Sequence, residues 1–182
     1  MKSPTDLLQE SEVRLNTALA DFESPSSSTL AAEFYELRVQ AAVFNYDVSY
    51  DIVSLWQNTP SGFAEKVALK SLVHKLYEYD QLMQKHLVRR LLTLARARRV
   101  GIESENIKAE RKKWRTQLAR LQTWSDVRNQ VTGHYGKDIP SQVALLKTID
   151  RAEVMQVVQA FLSYNIGILK MLARAGRGSA EA

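Results

Sequence analysis

The strongest constraint on the fold is a series of apolar residues that recur every three or four positions between residues 29 and about 57. The series consists of Leu30, Phe34, Leu37, Ala41, Phe44, Val48, Ile52 and Leu55. This spacing is the period of one face of an α-helix, and about eight turns of it predict a long helix with one side in a hydrophobic core.

A second helix is predicted at the start of the chain, from about residue 4 to 22. Ser3 is a suitable N-cap, Pro4 suits the first helical turn, and Asp6 places a negative charge near the positive end of the helix dipole. The stretch Ser24-Pro25-Ser-Ser-Ser28 then separates this helix from the next one.

Three further helical segments follow. Thr59-Pro60 is expected to cap a segment that continues to about residue 99, and its length favours a kink or a break. A fourth helix is expected to open at residues 103–105 and to run to Gly136, with a break over residues 136–141. Asp150 and Glu153 have the spacing of a capping box for a last helix that ends at Gly176.

These segments predict an all-α fold, an antiparallel bundle of about five helices in a single domain of residues 1–175. Its core bundle covers about residues 29–175, and residues 176–182 are expected to form a disordered tail. No stretch shows a convincing alternation of strand type. The 182 residues are 45% hydrophobic and 25% charged, which suits a globular chain with a sizeable core.

Composition also narrows the classes of function. The chain has no cysteine, which excludes disulfides, thiolate metal sites and a cysteine nucleophile and favours a cytoplasmic location. No signal peptide is predicted, because the first residues of the sequence lack an apolar core. No membrane span is predicted, because the longest uncharged run, residues 154–169, is too short and contains polar residues. The net charge of +5 favours a polyanionic partner.

One stretch places polar residues where a buried helical stripe is expected. The stripe comprises Leu121, Trp124, Arg128, Val131 and Tyr135. Arg128 should therefore point partly inward, where a guanidinium needs an anion, a polar cluster or a subunit boundary. On an ideal helix Arg128 and His134 lie about 120° apart, so a loosened turn near Gly133 or a second copy of the chain would have to bring the two together.

Other polar clusters have ordinary explanations. A cluster of arginines at the end of the third segment either complements the helix dipole or contacts RNA phosphates; it comprises Arg96, Arg98 and Arg99. Lys137 is a further candidate for contacts with the RNA backbone. The pairs Asp47 with Asp51 and His74 with Glu78 are more typical of solvated helix faces than of metal or acid–base sites. We predict neither a metal nor a cofactor.

The segment Val127-Arg128-Asn129-Gln-Val-Thr-Gly133-His134-Tyr135 resembles the Arg-x4-6-His motif of HEPN-domain proteins, in which a polar residue commonly follows the arginine. The resemblance implies an all-helical, usually dimeric fold with the arginine and histidine of both copies lining a cleft. Many members of this family are metal-independent endoribonucleases of toxin–antitoxin, abortive-infection or CRISPR systems, so an antitoxin is a possible partner. Others have lost activity and serve as binding modules.

The residue types suit RNA cleavage without metal. Histidine changes charge near neutral pH, so His134 would move protons, while Arg128 would hold the charge that develops on the phosphorus centre. Asn129 would orient a phosphate oxygen or the imidazole, and Tyr135 would contribute at the rim. The expected products are a 2′,3′-cyclic phosphate and a 5′-hydroxyl. In the competing hypothesis the chain is a non-catalytic dimerisation or partner-binding module. Arg128 would then form a structural ion pair with Asp126, Asp138 or a carboxylate of the second helix, and His134 would cap a helix end.

Overall fold

The computed structural model describes residues 3–24, 29–132 and 138–178, and all regular structure in these ranges is helical. The helices are α1 (Pro4–Glu23), α2 (Thr29–Asn58), α3 (Gly62–Leu82), α4 (Val88–Ala97), α5 (Ser104–Lys112), α6 (Arg115–Thr123), α7 (Ser125–Val127), α8 (Ile139–Lys147) and α9 (Arg151–Gly178). Two π-helical turns, Met83–Leu87 and Arg128–Thr132, join the sequence of α-helices. The prediction of an all-α fold is confirmed.

The first helix forms as its capping signals predict. The Ser3 side chain accepts a hydrogen bond from the Asp6 backbone N–H at 3.1 Å, and the Asp6 carboxylate accepts one from the Ser3 N–H, which makes a complete capping box. α1 packs along α2. An ion pair between Arg38 and Asp21 and the fully buried Ala18 fix this contact.

Helices α2, α3 and α9 form the core, and side-chain pairs give their directions. Phe44 of α2 stacks on Tyr79 of α3 at 3.7 Å between ring centroids, and Phe161 of α9 meets both rings edge-on. The described members of the predicted α2 stripe are buried, from Phe34 to Leu55. Asp47, further along α2 than Phe44, pairs with Lys75, which precedes Tyr79 in α3, so these two helices are antiparallel.

The long third segment starts later than predicted and is interrupted. Thr59 adopts a left-handed backbone conformation, with φ +39°, so Thr59-Pro60 does not open the helix, and Ser61 is the N-cap of α3 instead. The expected break is the π turn Met83–Leu87, after which α4 continues to Ala97. A π turn inserts one residue into the helical repeat, and here it keeps both Met83 and Leu87 buried.

The fourth predicted helix is wrong as a single element. It is broken at Trp114 and again at Trp124 into α5, α6 and α7. At both breaks the backbone N–H bonds to the carbonyl three residues earlier rather than four, from Trp114 to Arg111 and from Trp124 to Leu121. The apolar spacing continues through these tight turns, so periodicity alone gives no sign of them.

Helix α8 was not predicted, since residues 136–141 were expected to form a break. Asp138 instead caps α8 by accepting a hydrogen bond from the Ser141 N–H at 3.1 Å, and Pro140 lies in the first turn. The proline therefore starts a helix rather than ending one. Hydrogen bonding from Ser141 lowers the pKa of the Asp138 carboxyl.

The last helix begins as predicted and ends slightly later. Asp150 accepts a hydrogen bond from the Glu153 N–H at 2.8 Å, and α9 extends to Gly178, two residues beyond the predicted end. In the part of the chain that the structure describes, no helix has the length and apolar character to cross a membrane.

Candidate functional site

Arg128 is the first residue of the second π turn, on the edge of a buried stripe. Leu121, Trp124, Val127 and Val131 are all buried, as the sequence pattern predicts. The Arg128 side chain is 42% exposed, so it lies at the border between core and solvent rather than inside. A cation in this position keeps much of its hydration and can still meet a ligand.

Two of the described residues, Glu78 and Asn129, hold the guanidinium of Arg128. Its Nε donates to Oε1 of Glu78, a residue of α3 whose side chain is also 42% exposed. Its Nη1 donates to Oδ1 of Asn129 at 3.0 Å. Two acceptors at different nitrogens fix both the position and the plane of the guanidinium.

This arrangement defines the chemistry that Arg128 can perform. A guanidinium with a fixed plane can hold two oxygens of a phosphate through parallel hydrogen bonds. Any such anion would compete with Glu78 for the cation. Asn129 is exposed, and its side chain accepts a hydrogen bond from Arg128. Its predicted role, to orient a phosphate oxygen or the imidazole of His134, stays a prediction.

A π turn directly precedes Gly133, where a loosened turn is predicted, while Gly133 itself lies outside the described residues. The π turn spans Arg128–Thr132, so the angle of about 120° calculated for an ideal helix between Arg128 and His134 does not apply. His134, Tyr135 and Lys137 lie outside the described residues. Their pairing with Arg128 therefore stays a prediction.

The carboxylate that pairs with Arg128 is not one of those expected. The competing hypothesis named Asp126, Asp138 or an acid of the second helix, whereas the partner is Glu78 of the third. Asp126 is exposed and Asp138 is used as the cap of α8. Glu78 follows His74 by one turn in sequence, and its role in an interhelical ion pair agrees with a stabilising rather than a metal-binding function.

The arginines at the end of α4 divide into two groups. Arg98 is only 14% exposed and pairs with Glu33 of α2 at 3.8 Å. Arg90, in the first turn of α4, donates two hydrogen bonds to the carboxylate of Glu36, at 2.6 and 2.9 Å. These two hold α4 against α2. Arg96 and Arg99 are exposed, so they remain candidates for contacts with RNA.

The acidic pair of α2 is not arranged as a metal site. Lys75 of α3 donates to Asp47 at 2.8 Å and approaches Asp51 at 2.9 Å. Burial works against the charge of Lys75, but the hydrogen bonds that its ammonium donates to both carboxylates prevail and raise its pKa. Within the described ranges, no three histidine, aspartate or glutamate side chains are grouped as metal ligands.

Sequence reasoning missed a buried polar network beside the candidate site. Asp80 is 1% exposed and receives two hydrogen bonds from Arg111 of α5, at 2.7 and 3.2 Å, and a third from Gln84. Arg111 also lies over the Tyr164 ring, 5.5 Å from its centroid. Hydrogen bonding to Asp80 raises the pKa of Arg111 although burial opposes it.

A signal for this network was present in the sequence. Asp80 lies on the same stripe as Leu76, Met83 and Leu87, at spacings of four, three and four residues. A carboxylate on such a stripe requires a partner, just as a guanidinium does. The identity of the partner, Arg111, depends on how α5 packs and could not be read from spacing.

Comparison with known proteins finds no family model, no curated protein and no solved structure that the chain matches. The function of the site therefore has to be inferred from its residues and their geometry.

Proposed function

We propose that this protein is a metal-independent endoribonuclease of HEPN type, with Arg128 and His134 as its catalytic residues. The observation that carries the proposal is the guanidinium of Arg128, which is partly exposed, tied to Glu78 and Asn129, and located on a π turn just before the segment that contains His134. A cation fixed in this way suits phosphate recognition.

In the proposed reaction Arg128 binds the scissile phosphate and stabilises the negative charge that develops on it. His134 removes the proton of the 2′-hydroxyl, whose oxygen then attacks phosphorus and displaces the 5′-oxygen of the next nucleotide. The departing 5′-oxygen takes a proton from the imidazolium of His134, which returns the histidine to its neutral form. The products are a 2′,3′-cyclic phosphate and a 5′-hydroxyl. Asn129 acts as a positioning residue through its hydrogen bond to Arg128, and Tyr135 contributes at the rim.

The proposal includes an assembly and a setting. The structure divides the described chain into more helices than the five predicted, and we propose to group them as α1, α2, α3 with α4, α5 to α7, and α9, a HEPN-like bundle with α8 as an addition. We expect a cytoplasmic homodimer in which two copies of Arg128 and His134 line one cleft. A toxin or anti-phage effector of this type would be controlled by a neutralising protein.

A second candidate function is a non-catalytic module that dimerises or binds a partner. The Arg128–Glu78 ion pair favours this alternative, because a salt bridge between α3 and the π turn has a structural role without any substrate. Under this hypothesis the role of Arg128 is the ion pair with Glu78 alone, and no RNA cleavage would depend on its charge.

The test is cleavage of a single-stranded RNA by the purified protein in EDTA. Arg128→Ala and His134→Ala are compared with two matched controls. Arg14→Ala removes a similarly exposed arginine that pairs with Glu10 in α1, and His86→Ala removes an exposed histidine of the first π turn.

The proposal predicts cyclic-phosphate products from wild type and both controls, and losses of at least about a hundredfold in both site variants. Cleavage that survives both site substitutions would refute the assignment. Absence of cleavage by the wild type would favour the binding module.

A further inference from the structure

A groove of about 430 Å³ lies between the first π turn and the outer face of α5 and α6. It is lined by Gln84, Lys108, Arg111, Lys112, Arg115, Leu118, Ala119 and Gln122. Four of these residues are cationic, and none of the described residues that line the groove is acidic. Its surface is mostly apolar between the charged groups.

The charges in the groove differ in how far they are neutralised. Arg111 is bound by the buried carboxylate of Asp80, and Lys108 lies 3.4 Å from Glu105 at the surface. Lys112 and Arg115 are exposed, and among the described residues no carboxylate lies within ion-pair distance of either one. The groove therefore has an uncompensated positive charge centred on these two residues.

The arrangement of the lining favours an extended polyanion. Lys108 and Lys112 of α5 and Arg115 of α6 line the same groove on both sides of the tight turn at Trp114. Arg111 is immobilised by Asp80 and by the ring of Tyr164, so this part of the groove is already ordered. Leu118, which is buried, and Ala119, which is exposed, line the groove beside the cationic groups, so riboses and bases can contact apolar surface while phosphates contact Lys112 and Arg115.

The groove and Arg128 are linked through α3. Glu78 and Asp80, two residues apart in α3, pair with Arg128 and Arg111 respectively, so the same part of α3 anchors one cation of the groove and the cation of the candidate site. Gln122, at one end of the groove, is followed within two helical turns by Arg128. One single strand of RNA could therefore contact both the groove and the candidate site.

We propose that this groove binds the backbone of single-stranded RNA and guides it to Arg128. The part of the proposal that concerns guidance rests on the proposed ribonuclease function, whereas RNA binding in the groove stands without it. Phosphates contact Lys112 and Arg115, while Arg111 is a fixed cation that orients the strand. The other chemistry that such a groove could accept is an acidic peptide.

The experiment measures binding of a fluorescein-labelled 2′-O-methyl uridine 12-mer, which lacks the free 2′-hydroxyl needed for cleavage. Wild type is compared with Lys112→Ala/Arg115→Ala. The matched control, Lys113→Ala/Arg120→Ala, removes the same residue types from the ends of the same helices, where they pair with Glu110 and Glu153 away from the groove. Poly-glutamate is the second probe, and circular dichroism melting verifies that each variant is folded.

The expected result is weaker binding of the 12-mer by the groove variant but not by the control. The logarithm of the association constant falls linearly with the logarithm of the salt concentration, and each phosphate contact to a single strand contributes about 0.7 to the steepness of this line. Losing two phosphate contacts should therefore make the slope shallower by about 1.4. Equal affinity and equal slope for wild type and the groove variant would overturn the proposal. Groove-dependent binding of poly-glutamate, without binding of the 12-mer, would overturn it in favour of a peptide site.

Failure of the groove and failure of the catalytic proposal can be told apart. Arg128→Ala should lose cleavage of unmodified RNA while it still binds the 12-mer through Lys112 and Arg115. If Arg128→Ala cleaves normally and the groove variant loses binding, the ribonuclease assignment fails and the groove stands. If Arg128→Ala loses cleavage and the groove variant binds as wild type does, only the groove proposal fails.

Discussion

Arg128 and Glu78 join the second π turn to α3 through an ion pair in which each side chain is 42% exposed. An ion pair this exposed contributes under about 1 kcal/mol to stability, because solvent screens it. Its larger effect is on the orientation of the guanidinium, which Asn129 fixes from the other side.

The first prediction concerns Glu78 as a positioning residue. Glu78→Ala should lower RNA cleavage by about tenfold, because Nε of Arg128 loses its acceptor and the guanidinium plane is no longer fixed. Glu78→Gln should recover part of the rate, since an amide oxygen can still accept the hydrogen bond. Single-turnover rates and thermal melting are measured together. Equal rates for Glu78→Ala and wild type, at unchanged stability, would contradict a positioning role.

A second prediction concerns the buried pair of Asp80 and Arg111. Arg111→Met should destabilise the protein by about 3–5 kcal/mol, because a carboxylate that is 1% exposed loses its counter-ion. Urea unfolding measures the change. Asp80→Asn combined with Arg111→Met should recover part of the loss, since the uncompensated charge is then removed. A loss below about 1 kcal/mol in the single variant would show that the pair is not needed in the fold.

Alkaline pH should weaken the fold through Tyr79. Burial raises the pKa of Tyr79, and it also raises the pKa of Tyr164. Below the unfolded pKa of about 10 both states are neutral and stability is unaffected, whereas above it the unfolded chain ionises first and stability falls as pH rises. The melting temperature should therefore decline above about pH 10, and Tyr79→Phe should show a shallower decline. An identical pH dependence in wild type and Tyr79→Phe would refute this assignment.

The overall fold could be predicted because the buried face of a long helix appears in the sequence as a regular series of apolar residues. The stripe from Phe34 to Leu55 is regular over many turns, and capping residues such as Ser3 mark a start by a mechanism that operates within one turn. The breaks at Trp114 and Trp124 could not be predicted in the same way. There the backbone tightens by one residue while the apolar spacing continues, so the same pattern fits a broken and an unbroken helix.

The candidate site could be predicted only in part. The sequence predicted that Arg128 lies on a buried stripe, points partly inward and meets an anion, a polar cluster or a subunit boundary. The structure shows an anionic partner, but the side chain is 42% exposed and lies at the edge of the stripe. The sequence did not identify Glu78, because the partner is fifty residues away and is brought close by the packing of α3. For the same reason the Asp80–Arg111 pair was missed, and Pro140 was assigned to the end of a helix although it lies at the start of α8.

The measurement that tests the central claim most directly is a double-mutant cycle on RNA cleavage in EDTA. Single-turnover rates are compared for wild type, Arg128→Ala, His134→Ala and the double variant. If both residues act on one phosphate, the double variant should be about as slow as the slower single variant, because the loss of one member of a catalytic unit removes most of its effect. Rates that equal the wild-type rate in both single variants, or losses that multiply fully in the double variant, would contradict the account.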